Sequence, residues 1–143
     1  MLKTLTAALV VALVAGKAGA GALVVTDAEF APVAEALAGL YQSHGGPKIR
    51  VESRAKADLA PGADIVLGPD QALARDLVAA GLALGDSRVT YAMGLTGTAA
   101  ATLPRDAVLM QQAAGNTTAQ DFFGFLLTPE AWDVIVAGGY GAQ

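Results

Sequence analysis

An open, mainly parallel α/β sheet with helices on both faces is the fold class predicted by three features of this 143-residue sequence. Short apolar runs at residues 23–25 (LVV) and 63–67 (ADIVL) read as strands covered on both faces. Stretches with apolar residues at helical spacing follow, at 33–41 and 71–80. The order strand, helix, strand, strand, helix, with glycine and proline at the joints, is that of a parallel layer rather than a set of hairpins.

Each element has a local cause. Pro32 is tolerated only in a first helical turn, so it fixes the start of the first helix and leaves Asp27 and Glu29 in the strand-to-helix loop or at the cap. Gly45, Gly46 and Pro47 stop that helix. Residues 48–52 form a second strand and 63–67 a third. After Gly68, Pro69 and Asp70, the helix over 71–80 ends at Gly81. Residues 89–95 and 107–110 supply further strands, joined by a flexible Gly/Ala-rich connection over 96–103. Two helices close the chain, at 118–127 and 129–137. Thr128, Pro129 and Glu130 give the second of these a capping hydroxyl, a first-turn proline and an acid at the positive dipole end. Phe122, Phe123, Phe125 and Trp132 have the spacing of core residues on these two helices.

The N-terminus predicts export. Met1-Leu2-Lys3, an apolar stretch over 5–15 and Ala18-Gly19-Ala20 make the pattern of a secretory signal peptide over residues 1–20, with cleavage after Ala20. The apolar stretch is about half of the ~20 residues that a membrane-spanning helix needs. One domain, 21–143, is expected to remain. Lys3 and Lys17 leave with the peptide, so 7 basic residues face 13 acidic ones. Such a balance offers no electrostatic footprint for nucleic acid. With no cysteine there is no disulfide, thiolate ligand or lipid attachment point. His44, the only histidine, sits at a helix end, where dipole stabilisation of its cation outranks metal ligation. No nucleophile set, metal-ligand cluster or dinucleotide motif supports catalysis, and the protein is read as a non-enzyme without a cofactor.

In an open α/β sheet, ligands bind off the carboxyl ends of the strands, where the loops at 26–29, 53–54 and 68–70 converge. Helix N-termini favour an anion there. Asp27, Glu29 and Asp70 oppose one, since a carboxylate ~5 Å from a unit negative charge costs roughly 3 kcal/mol at an effective dielectric near 20. Arg54 or Lys56 offsets part of that. The same acids, with a tyrosine and a hydroxyl, suit a hard cation such as Ca²⁺ or Mn²⁺, with Glu29 and Asp70 as metal ligands. A third reading needs no ligand, because the acids then simply cap the two helices.

Residues 116–141 (NTTAQDFFGFLLTPEAWDVIVAGGYG) resemble the closing segment of bacterial periplasmic molybdate-binding proteins. ADIVLGPDQ at 63–71 is similar to that family's ADLFISADQ, LVAAGL at 77–82 to its LVEKGLV, and RVTYAM at 88–93 to its returning crossover strand. The resemblance implies one lobe of a type II periplasmic binding protein, with the second lobe, which in the family precedes the returning crossover strand, absent. It implies a periplasmic substrate-binding component that delivers molybdate or tungstate to an ABC permease. It carries Ser53 over from an anion-binding serine run, next to Arg54, and Tyr91 from a tyrosine near the ligand, and it places Glu29 beside a lost first-loop serine. The alternative is a periplasmic accessory protein that keeps the fold without transport. A single lobe cannot close on a ligand alone, so homodimerisation or docking on another periplasmic protein is expected to rebuild the cleft.

Overall fold

The computed structural model describes residues 21–141, and the expected signal peptide over 1–20 lies outside them. Five strands and four helices follow in the order β1 (Ala22–Thr26), α1 (Ala31–Ser43), β2 (Ile49–Ser53), β3 (Ile65–Leu67), α2 (Gln71–Ala79), β4 (Val89–Met93), β5 (Pro104–Leu109), α3 (Thr117–Phe125) and α4 (Pro129–Ala137). The strands form one sheet in the order β2-β1-β3-β5-β4. β1 runs parallel to β2 and to β3, whereas β5 is antiparallel to both β3 and β4. β5 is therefore the one reversed strand, which brings its first residues, Pro104 and Arg105, to the carboxyl end of the other four.

Alternation along the strands sorts the core into two layers. Val24, Ile65, Leu67, Ala107 and Leu109 face α1, α3 and α4. Val25, Val66, Val108 and Met110 face α2 and Leu59 on the other side. Leu37, Phe122 and Ile135 bring the three helices of the first layer onto the sheet, and each is fully buried. Tyr41 of α1 packs edge-on against Phe122 at 5.2 Å, and its hydroxyl donates to Asp121 Oδ2 at 2.7 Å.

The expected elements are all present, with shifted ends. β3 is only three residues long, and just before it the Asp64 carboxylate accepts from the Leu23 N–H at 2.8 Å. β5 begins at Pro104, three residues before the expected start, because Arg105 and Asp106 are buried by partners distant in sequence. The connection over 94–103 is no loose segment. It folds as a turn and a short 3₁₀ stretch (Ala99–Thr102), with Thr98 accepting from the Ala100 N–H. Gly94 is required there, because a Cβ at that position would lie 2.1 Å from the Ala100 carbonyl oxygen. Asn116, Thr128 and Asp70 cap α3, α4 and α2 through side-chain oxygens. α1 has no side-chain cap, so Asp27 and Glu29 do not serve as one.

Candidate functional site

Arg105 sits at the carboxyl end of the sheet, where a ligand of such a fold is expected, with a side chain only 4% exposed. A β-bulge makes room for it. Thr90 pairs with Asp106 and Ala92 with Arg105, so Tyr91 is the extra residue of β4 and turns into the first core layer. The Arg105 Nε donates to Tyr91 Oη at 2.9 Å, and the Tyr91 hydroxyl donates onward to the Gly68 carbonyl at 2.9 Å. Arg105 Nη2 donates to Asp27 Oδ1, and Nη1 lies 3.6 Å from Glu29 Oε1. Phe30, Tyr140 and Tyr91 surround the guanidinium, with ring centroids 5.0, 5.3 and 5.8 Å from its central carbon. A buried cation is thereby balanced by a carboxylate and by three ring faces or edges.

Electrostatics follow from that enclosure. Burial opposes the charge of Arg105, but the Tyr91 oxygen and the Asp27 carboxylate outweigh it and raise the guanidinium above its already high ordinary value. Burial also pushes the Tyr91 phenol well above the usual tyrosine range, although the Arg105 cation pulls the other way. Tyr140 is pushed up to about 12 by burial, against Arg105 and with the help of Glu29 and Asp27. Both phenols stay protonated at neutral pH. Among the described residues, the buried Tyr140 Oη has no hydrogen-bond partner.

Asp27, Glu29 and Tyr91 of the expected site residues are thus brought together, and Arg105 is what joins them. The other three, Ser53, Arg54 and Asp70, lie on the neighbouring loops and take no part in the hydrogen bonds of Arg105. Asp70 accepts from the Leu73 N–H at 3.0 Å and from Lys56 Nζ at 2.5 Å. Burial works upward on the Asp70 carboxyl, but the hydrogen bonds from Lys56 and the helix N–H groups hold it below the usual carboxylate range. Arg54 pairs with Glu52 at 2.6 Å and donates to the Pro61 carbonyl at 2.6 Å, so it fastens the 54–61 loop. Ser53 is exposed at the end of β2, in register with Thr26. Among the described residues no group of three or more His, Cys, Asp or Glu side chains is placed to hold a metal ion.

A buried carboxylate, Asp106, escaped the sequence reading too. Asp106 faces the opposite layer, where it accepts from Arg88 Nη1 and from the Thr90 hydroxyl, each at 2.6 Å. Consecutive residues of β5 therefore carry two buried charges on opposite faces of the sheet.

The sheet order and its reversed strand make an open, mixed α/β fold with a polar cluster at the carboxyl ends of the strands. No family model matches the sequence, and no curated protein matches it. Solved structures do. The chain is similar to the periplasmic molybdate-binding protein of Azotobacter vinelandii, with TM-score 0.73 and 17% identity over 85% of this chain and 99% of that one. It is similar also to the substrate-binding domain assigned to a molybdenum ABC transporter of Clostridium difficile, with TM-score 0.74 and 10% identity over 86% of this chain and 99% of that one. At these identities the shared property is the fold.

Proposed function

We propose that the protein is an exported solute-binding component of an ABC uptake system, of the molybdate-binding type and working through one lobe. The observation that carries this reading is the end-to-end structural likeness to two chains named for molybdate or molybdenum transport. The solute is an oxyanion such as molybdate or tungstate, bound at the carboxyl ends of β1, β2 and β3 beside the Arg105 guanidinium, with Ser53 and loop N–H groups as donors. A permease is the partner. A homodimer or another periplasmic protein supplies the missing wall.

One observation favours a second reading, that of a periplasmic accessory protein. Arg105 is already paired with Asp27, Arg54 with Glu52 and Lys56 with Asp70, so each cation near the expected site has its own counter-ion. An oxyanion has to compete with these carboxylates. A hard cation on Glu29 and Asp70 has to compete with Arg105 and Lys56 in the same way.

Thermal unfolding of the purified protein with molybdate, tungstate, sulfate and phosphate, and separately with Ca²⁺ and Mn²⁺, tests the reading. A ligand at 100 times its dissociation constant adds about 2.7 kcal/mol, which at this size raises Tm by several degrees. Stabilisation by molybdate or tungstate supports the transport reading. A shift with a cation that is lost in Glu29→Ala or Asp70→Ala replaces the oxyanion with a metal. No shift with either set leaves the accessory reading.

A further inference from the structure

Beside the Arg105 cluster, on the outer side of the first helical layer, lies a cavity of about 450 Å³ between the start of α1 and the end of α4. Its walls are apolar, formed by Pro32, Val33 and Ala36 of α1, Val134 and Ala137 of α4, and Leu95 from the strand connection. Glu29 and Tyr140 are the polar groups on its lining. A volume of this order with a few placed polar groups is usual for a small-molecule site.

Charge sets what fits. Arg105 carries one positive charge against the carboxylates of Asp27 and Glu29, and Asp27 takes the close pair. Glu29 stands off at 3.6 Å with its side chain 55% exposed. The cluster therefore keeps one negative charge, located on Glu29 at the cavity. The positive end of α1 and the negative end of α4 both reach this cavity and offset one another. The Tyr140 side chain forms part of the same wall, and its hydroxyl is buried with no hydrogen-bond partner among the described residues.

We propose that this cavity binds a small organic monocation, an alkyl- or arylammonium ion whose apolar body lies against α1, α4 and Leu95 while its ammonium group pairs with Glu29. The inference goes beyond the oxyanion reading, since it concerns a different cavity and a ligand of opposite charge, and either holds without the other.

Three ligands with one apolar body and different charge test it on the full described domain: phenethylammonium, 2-phenylethanol and 3-phenylpropanoate, titrated into isotope-labelled protein with backbone amide shifts as the readout. Phenethylammonium is expected to move the amides of Val33, Ala36, Leu95 and Ala137, and to bind about fivefold more tightly than the alcohol, as suits a half-exposed ion pair. Glu29→Gln, on an exposed side chain, should erase that preference without changing the fold. Ala36→Leu, also at an exposed position, should block all three by filling the cavity. Equal binding of the three, preference for the carboxylate, a preference that survives Glu29→Gln, or shifts confined to other residues overturns the proposal. Failure with molybdate and tungstate in the thermal experiment leaves it standing.

Discussion

Removing the Asp27 carboxylate would leave the Arg105 guanidinium buried without its close anion. Asp27→Ala is therefore expected to destabilise the protein by about 3 kcal/mol, the low end for a broken buried pair because Asp27 is itself 19% exposed. Replacing Asp27 and Arg105 together by apolar residues of similar size should cost far less than the single change. Urea unfolding of the single and double variants measures both, and equal losses would refute the pairing. At this scale the sequence is a partial guide. Asp27 can be picked out because it follows a strand end and Tyr91 because of the family resemblance, but Arg105 cannot. It stands in the run LPRDAV, where a lone arginine next to an aspartate looks like a solvated pair. Its burial depends on a bulge in β4 and on aromatic rings at positions 30, 91 and 140, which no local pattern brings together.

Helices were more legible than strands for a physical reason. A helix is stabilised by neighbours in sequence, and the signals at Thr128 and Pro129 act where they stand. Thr128 accepts from the Ala131 N–H at 3.3 Å, its hydroxyl donating to the Phe125 carbonyl at 2.8 Å. Thr128→Ala should cost about 1 kcal/mol, read as a lowered midpoint of urea unfolding with an unchanged slope. The strands depend instead on remote pairing. Apolar runs locate β1 and β3, but neither the reversed direction of β5 nor its start at Pro104 has a local signature. The capping oxygens divide in the same way: Asp70 was foreseeable as a cap, whereas Asp27 was drawn from α1 by an arginine 78 positions away.

Over the whole molecule, all three tyrosines of the chain are held protonated by the fold. Burial and the Asp121 carboxylate push Tyr41 up to about 12, burial does the same to Tyr140, and Tyr91 is raised further. Below pH about 10 the phenols are protonated whether the chain is folded or not, and their contribution is constant. Above it the unfolded chain releases protons first, so stability falls as pH climbs towards about 12. A spectrophotometric titration should show no phenolate absorbance near pH 10, followed by a rise that coincides with alkaline unfolding by circular dichroism. A tyrosine that ionises near pH 10 in the intact fold would contradict the burial described for it. The general architecture, two core layers on one open sheet, was accessible from apolar runs and their order. The chemistry at the strand ends was not, because it arises from ion pairs between segments that meet only after folding.

The connection over 94–103 has a consequence of another kind. It leaves β4 and re-enters as β5 at the same end of the sheet, and at its tip Gly97 has a left-handed backbone with open space around it. Backbone hydrogen bonds from Thr96 to Gly139 and from Gly94 to Leu103 clamp the base of this excursion before the tip is reached. Its two ends are therefore fixed by the sheet and not by what lies between them. A foreign folded module spliced in at Gly97 would inherit a rigid two-stranded mount while leaving both core layers untouched, which makes this position a natural graft point for modular construction.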